Sequence, residues 1–529
     1  MASDPPRSSE GGGEAPAPTN REGALKGPRR GGRLANVLAR NISLLTMAAV
    51  SMLVLRLLVQ SLGLAQYGLI AFSLQIVHII GVAGTTMSSA AARYVTQSVA
   101  RDEKDAAASY LTNTLACVLA AGAVAFVVVA AIGALLPDVP VSFLLMLLLG
   151  AIMSSVAGTL AVGNFVRERF VSDGILRSLS RILYGGVCYG LLVHVGLGIW
   201  SVPVALLAAS LVLLVGFAWM LRRSLPAVKL RPSLIGRRRM FEVASYFGWM
   251  LLLHCGMYIY RAGTMWSVKA FLPGELLGKY AVAIAISNLM LQLFKSLSVL
   301  TTPGIYRDLA RERFPAATRG VERYLFLLAL FGGTAVTIFA FDGQSLLQLV
   351  LGRSAPPGTQ PILVGCVLSA MLVSTNVPFS TFLAGLNFQK YLGLMWLAAG
   401  AVIVGLSVVL LRDGVDRLVL LAYLPGVVTI SKNAIILPMA FRRWFAFSSL
   451  RAFLRKGALV AALIGAAVGL RIGAGCLLNQ GGVWPLAVRV MVTGVPLGSY
   501  VLLRLFGRSP KGAAQATLPD QSTALTDDL

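Results

Sequence analysis

Two sets of polar side chains recur at helical spacing inside otherwise apolar stretches. Asn288, Gln292, Lys295, Ser298 and Thr302 follow at intervals of four, three, three and four residues, which puts them on one helix face. Gln75, His78, Thr85, Ser89 and Arg93 do the same at intervals of three, seven, four and four. Such faces turn away from lipid and either bond to neighbouring helices or line a water-filled space. The cations within apolar stretches are Arg56, Arg261, Lys295, Lys432 and Arg489. None of the 21 acids joins them; Glu242, Glu322 and Asp342 come no closer than the ends of such stretches. A lumen with lysine, arginine and amide groups but no carboxylate suits an anion such as phosphate or pyrophosphate. Lys295 is best placed for that role, because it shares its face with Asn288 and Gln292. Arg56 and Arg261 lie near the ends of their stretches, where snorkelling to the interface accounts for them as well as binding does. Lys432 and Arg489 read as snorkelling side chains.

Catalysis has no comparable foothold. The chain has no His-Glu-x-x-His, no Gly-x-Ser-x-Gly, no P-loop and no paired carboxylates in a long loop. His78, His194 and His254 share no metal-ligand spacing. The five cysteines (Cys117, Cys188, Cys255, Cys366 and Cys476) sit singly in apolar stretches and read as small buried hydrophobes. No enzyme activity, cofactor, metal or nucleic-acid partner is expected.

Composition dictates the elements that must position these residues. Of 529 residues, 57% are hydrophobic and 13% charged, against roughly half and a quarter in soluble domains. That leaves too little polar surface to cover a water-facing particle, so an all-α polytopic membrane protein is expected. A spanning helix needs about 20 mainly apolar residues, and fourteen such stretches fit between 41 and 505. The weakest are the fifth, 176–193, with Arg177 and Arg181 in its first turns, and the Gly-rich thirteenth, 456–475. With the N-terminus inside, 35 Lys and Arg fall in cytoplasmic segments and 6 in external loops, as the positive-inside rule requires. The net charge of +25 is therefore a topology signal. Residues 1–40 read as a disordered cytoplasmic tail without the apolar core of a signal peptide, and 506–529 as a second cytoplasmic tail.

The longest internal connection, 222–241, holds seven basic residues and two prolines. It reads as a cytoplasmic linker between a first six-helix lobe, 41–221, and a second, 242–440, with two further helices in 441–505. The halves echo each other. Arg56 precedes Tyr67 by eleven residues, as Lys269 precedes Tyr280, and Asn164-Phe165 pairs with Asn387-Phe388. Repeats of six spans share orientation, which predicts two lobes related about an axis along the membrane normal and a cavity between them.

Several short motifs carry a family likeness. Arg40-Asn41 opens the first span, Leu62-Gly63 precedes Tyr67-Gly68-Leu69, and Ala92-Arg93-Tyr94-Val95 leads to Ala100-Arg101-Asp102. This pattern resembles the oligosaccharide flippases of bacterial polysaccharide synthesis, whose superfamily also holds lipid II flippases and multidrug-and-toxin extruders. The motifs concentrate in 40–105 and recur weakly in 242–307. The resemblance implies a central cavity, alternating access and outward flipping of an undecaprenyl-pyrophosphate-linked oligosaccharide for O-antigen, capsule or exopolysaccharide synthesis. It also implies the bacterial inner membrane as location, with a polysaccharide polymerase and glycosyltransferases as partners. Such proteins commonly carry an Asp-Arg or Asp-Lys pair near the external end of the seventh span. This chain has Tyr260-Arg261 there, the basic residue without the acid. The lumen candidates are thus Lys295, Arg56, Arg261, Gln75, His78, Asn288, Gln292 and Arg93. Two other readings stay open. A cation-coupled multidrug exporter of the same superfamily would want an intramembrane carboxylate, and a polysaccharide polymerase or ligase would want a large external loop.

Overall fold

A computed structural model describes residues 30–433, apart from 168–169, 353–354, 386–388, 413 and 415–416, together with residue 468. The last two expected spans (residue 468 excepted), Cys476, Arg489 and the Asn387-Phe388 echo lie outside the described residues. Among the described residues the regular structure is helical, with no strand. The α-helices are α1 (Arg30–Leu62), α2 (Leu64–Ala100), α3 (Lys104–Ala134), α4 (Val141–Leu160), α5 (Val162–Val166), α6 (Phe170–Tyr189) and α7 (Ser201–Ser224). They continue with α8 (Arg237–Phe271), α9 (Gly274–Ser296), α10 (Thr302–Ala310), α11 (Phe314–Leu351), α12 (Thr359–Ser374), α13 (Asn376–Gly385), α14 (Gln389–Arg412) and α15 (Leu418–Ser431).

Eight of these segments are long and apolar enough to cross a membrane, and Leu64–His78 and Leu418–Ser431 are shorter apolar helices. α6 falls short because of its charges, Asp173, Arg177 and Arg181; α8 has an uncharged run over 243–260, but Ser245, Tyr246, His254, Tyr258 and Tyr260 dilute its apolar character. Large apolar side chains such as Leu53, Val127, Trp219 and Val409 are exposed on the outside of the bundle, where a lipid phase and not water must meet them.

Two boundaries differ from expectation. α1 starts at Arg30, inside the 1–40 stretch expected to be a disordered tail; Leu, Ala and Arg dominate 33–40, and these good helix formers carry the helix beyond its apolar part. α8 starts at Arg237, so the basic 222–241 connection is helical at its end. The rest of that connection is docked. Asn113, fully buried on α3, donates to Leu234 O and accepts from Gly236 N, both at 3.0 Å, and Ser109 donates to Leu234 O at 3.0 Å.

The helices form two groups. α1, α4, α6 and α7 pack together, as do α8, α9, α11, α12, α14 and α15, while α2 packs against α4 in the first group and against α8 and α9 in the second. α1 and α2 meet at Gly63, whose φ of 81° lies in the left-handed region that glycine adopts without strain. Near their N-termini α2 and α9 touch backbone to backbone: a β-carbon at Gly68 would come within 2.7 Å of Gly278 N. Only glycine fits there.

α15 runs through Pro425, which has no N–H to close its helical turn. Ser369 of α12 enters the neighbouring turn, donating to Ala422 O at 2.7 Å and accepting from Gly426 N at 3.1 Å. Tyr260 of α8 donates to Pro425 O. The proline turn is thus tied to two neighbouring helices.

Candidate functional site: a cationic cavity between the helix groups

A cavity of about 360 Å³ lies where α2 and α6 face α8, α9, α12 and α15. α2 contributes Gln75 and His78; α6 contributes Arg181; α8 contributes Tyr258, Tyr260, Arg261 and Thr264. α9 adds Tyr280, Ser287, Asn288 and Gln292, and Ser369 and Pro425 close the far wall. Among the described residues, two guanidinium groups and one imidazole stand in this lining without any carboxylate. The buried acids of α11, Glu322 and Asp342, are not part of it.

Hydrogen bonds fix the polar groups. Tyr258 donates to Gln75 Oε1 at 2.6 Å, which ties α8 to α2 across the seam. His78 Nδ1 lies 2.9 Å from Leu74 O; a carbonyl only accepts, so Nδ1 carries the proton and Nε2 is left for the cavity. The imidazole stacks on Tyr258 with ring centroids 6.5 Å apart. It lies within electrostatic reach of both Arg181 and Arg261. The Arg261 guanidinium donates to Asn288 Oδ1, a bond that orients the cation and leaves further donors on its fork. Pre-oriented guanidinium and amide donors, with no acid beside them among the described residues, have the chemistry that an anion requires.

Five of the eight sequence candidates meet here: Gln75, His78, Arg261, Asn288 and Gln292. The side chains of Thr85 and Ser89 lie outside the described ones. Lys295 is half-buried within electrostatic reach of Arg261 but does not line the cavity. Arg56 sits at the other end of the bundle, where its Nη2 would lie 3.5 Å from a β-carbon at Gly352, beside the C-terminus of α11. A cation there faces the negative end of a helix dipole. Arg93 belongs to a stack at the opposite end: it lies 5.9 Å from the Tyr94 ring, Tyr94 stacks on Tyr110 at 5.0 Å, and Tyr110 donates to Glu242 at 2.8 Å. That stack joins α2, α3 and α8. Lys432 does not snorkel: it is 4% exposed, with Nζ 3.4 Å from the centroid of Trp396, a cation–π contact.

Arg181 and Tyr258 were missed as lumen residues. The signal for Arg181 was present, since Asp173, Arg177 and Arg181 recur every fourth residue and form one face of α6.

An all-helical multi-pass membrane protein with a cationic cavity at the seam of two helix groups is the class that fold and site define. Residues 55–353 match the family described as polysaccharide biosynthesis protein. The chain belongs to that family. No curated protein matches it. Among solved structures the fold is similar to the lipid II flippase MurJ in an inward closed conformation, with TM-score 0.63, 14% identity, and 89% of this chain and 100% of that one covered. It is similar to an inward-facing multidrug resistance MATE family transporter of the MOP superfamily, with TM-score 0.60, 14% identity, and 74% and 96% covered. A MOP superfamily transporter from Pyrococcus furiosus, whose binding pocket is described as of reverse polarity, matches with TM-score 0.57 at 13% identity, with 77% and 96% covered. At these identities the likeness is one of fold.

Proposed function

We propose that the protein flips an undecaprenyl-pyrophosphate-linked oligosaccharide outward across the bacterial inner membrane by alternating access, for assembly of O-antigen, capsule or exopolysaccharide. The observation that carries this reading is the cavity lined by Arg181, Arg261 and His78, with no carboxylate among the described residues. Membership in a polysaccharide biosynthesis family supports it. A pyrophosphate carries the charge that guanidinium groups hold best, and long-range attraction with modest direct bonding lets the cargo leave on the far side. Both termini are then cytoplasmic. Polymerase and glycosyltransferases would act on the cargo after and before it crosses. A cation-coupled drug exporter would want an intramembrane carboxylate, and none lines this cavity among the described residues.

The test is transport of a fluorescent polyprenyl-pyrophosphate-linked oligosaccharide in proteoliposomes. Parent protein should move it to the opposite leaflet. Arg261→Gln should lower affinity for it by about tenfold to a hundredfold, the scale of a lost charge-assisted hydrogen bond. Transport of a lipophilic cation with no movement of the lipid-linked sugar would overturn the reading.

A further inference from the structure

A second cavity, of about 390 Å³, lies wholly within the first helix group, between α1, α4, α6 and α7. Its polar wall is the charged face of α6: Asp173, Arg177, Ser180 and Arg181. Ser43 of α1 and Ser154 of α4 face it, and Leu44, Met47 and Leu213 supply an apolar floor. Arg181 lines this cavity and the central one, so a single guanidinium stands in the wall between them. Four residues below it, Arg177 is held by Asp173 at 2.8 Å and keeps 48% of its side chain exposed. Asp173, Arg177 and Arg181 therefore climb one helix face in steps of one turn, from the end that the basic asymmetry marks as cytoplasmic toward the lumen. The two arginines outnumber the one acid. Hydroxyl groups and an apolar floor complete a space with a polar and an oily side.

We propose that this cavity is a phosphate-binding antechamber to the lumen, in which Arg177 and Arg181 take the anionic headgroup of a lipid-linked substrate before it reaches Arg261. The inference rests on the anionic-cargo reading above and adds a loading site to it. The mechanism is a handover. Asp173 holds Arg177 in place when the cavity is empty. An arriving phosphate competes with that carboxylate for the guanidinium, and Arg181, shared by both cavities, keeps hold of the anion as it moves inward. The apolar floor receives the start of the isoprenoid chain.

The carboxylate gives the test its sign. The full chain is placed in neutral phosphatidylcholine nanodiscs and titrated with a fluorescent polyprenyl pyrophosphate, with monodispersity checked for each variant. Asp173→Asn frees Arg177 and should tighten binding by about threefold or more, as expected for one screened charge. Arg177→Gln should weaken binding by about tenfold. Ser154→Leu, which fills the cavity without touching a charge, should weaken it as well. A merely structural ion pair would instead give the same direction for Asp173→Asn and Arg177→Gln, and that result overturns the proposal. So does a lack of effect in all three variants. Competition identifies the source of the phosphate. Displacement by inorganic pyrophosphate but not by phosphatidylglycerol supports a site for the pyrophosphate headgroup; equal displacement by phosphatidylglycerol supports a site for phospholipid headgroups. Arg261→Gln is run alongside. If it weakens binding while the α6 variants are silent, the lumen reading stands and only the antechamber falls.

Discussion

Lys295 and Arg261 lie within electrostatic reach of each other, and the cavity beside them is lined without a carboxylate. Lys295 therefore adds to the positive potential of the lumen from just outside its wall. Substituting Lys295→Arg should keep most transport, Lys295→Ala should reduce it a few-fold, and Lys295→Glu should abolish it by giving Arg261 an internal anion in place of the cargo. Flipping assays at matched protein levels check the order. Because the contribution acts at a distance, raising ionic strength should weaken the parent more than Lys295→Ala. The geometry also explains which residues the sequence made legible. Polar periodicity tells which face of a helix turns inward but not how deep along the axis the cavity lies. Lys295 shares the face of Asn288 yet stands seven residues, about 10 Å, further along. Arg93 lies about 22 Å beyond His78 by the same rise. Arg181 was hidden for another reason: its charge weakened the reading of its own helix as a membrane span.

The helices themselves were the legible part at the next scale, since apolar length is a strong signal and the first eleven expected stretches, with the described part of the twelfth, fall on helical segments. The docking of the basic connection was not legible, because nothing local marks Asn113 as a partner for residues more than a hundred positions away. Asn113→Ala leaves the Gly236 N–H without its acceptor, and should cost about 1–3 kcal/mol. A fall of the unfolding midpoint in detergent by several degrees, with the substrate still bound, is the expected outcome. Ser369→Ala acts on α15 in a similar way, but at the cavity wall. It removes the hydroxyl that bridges Ala422 and Gly426, so both stability and cargo binding should decline. The proline was visible in the sequence; the serine that bonds into its turn was visible only once α12 and α15 were placed together.

At the scale of the whole molecule, orientation follows from where the arginines and lysines fall. The division of 35 against 6 is large enough that both termini are expected on the cytoplasmic side. A reporter fused after Ser509 should be active only in its cytoplasmic form, and activity outside would refute the arrangement. Removing residues 1–29, which precede α1, should leave insertion and transport near parental levels, measured as polymer output per unit of membrane-embedded protein. The expected likeness of the two halves rests in part on the spacing that Tyr67 and Tyr280 share. Both tyrosines are buried in the core, yet of the two only Tyr280 lines the cavity.

The contact of α2 and α9 at their N-termini also offers a covalent handle. A β-carbon at Gly274 would lie 3.4 Å from the Ala65 β-carbon, near the separation of about 3.5–4.5 Å that a disulfide requires. A double variant, Ala65→Cys with Gly274→Cys, should form a bridge on mild oxidation and fasten this end of the bundle shut. If cargo passes here, oxidised protein falls silent and a reducing agent restores it, so one pair of sulfur atoms would turn a passive seam into a lock that an experimenter can open at will.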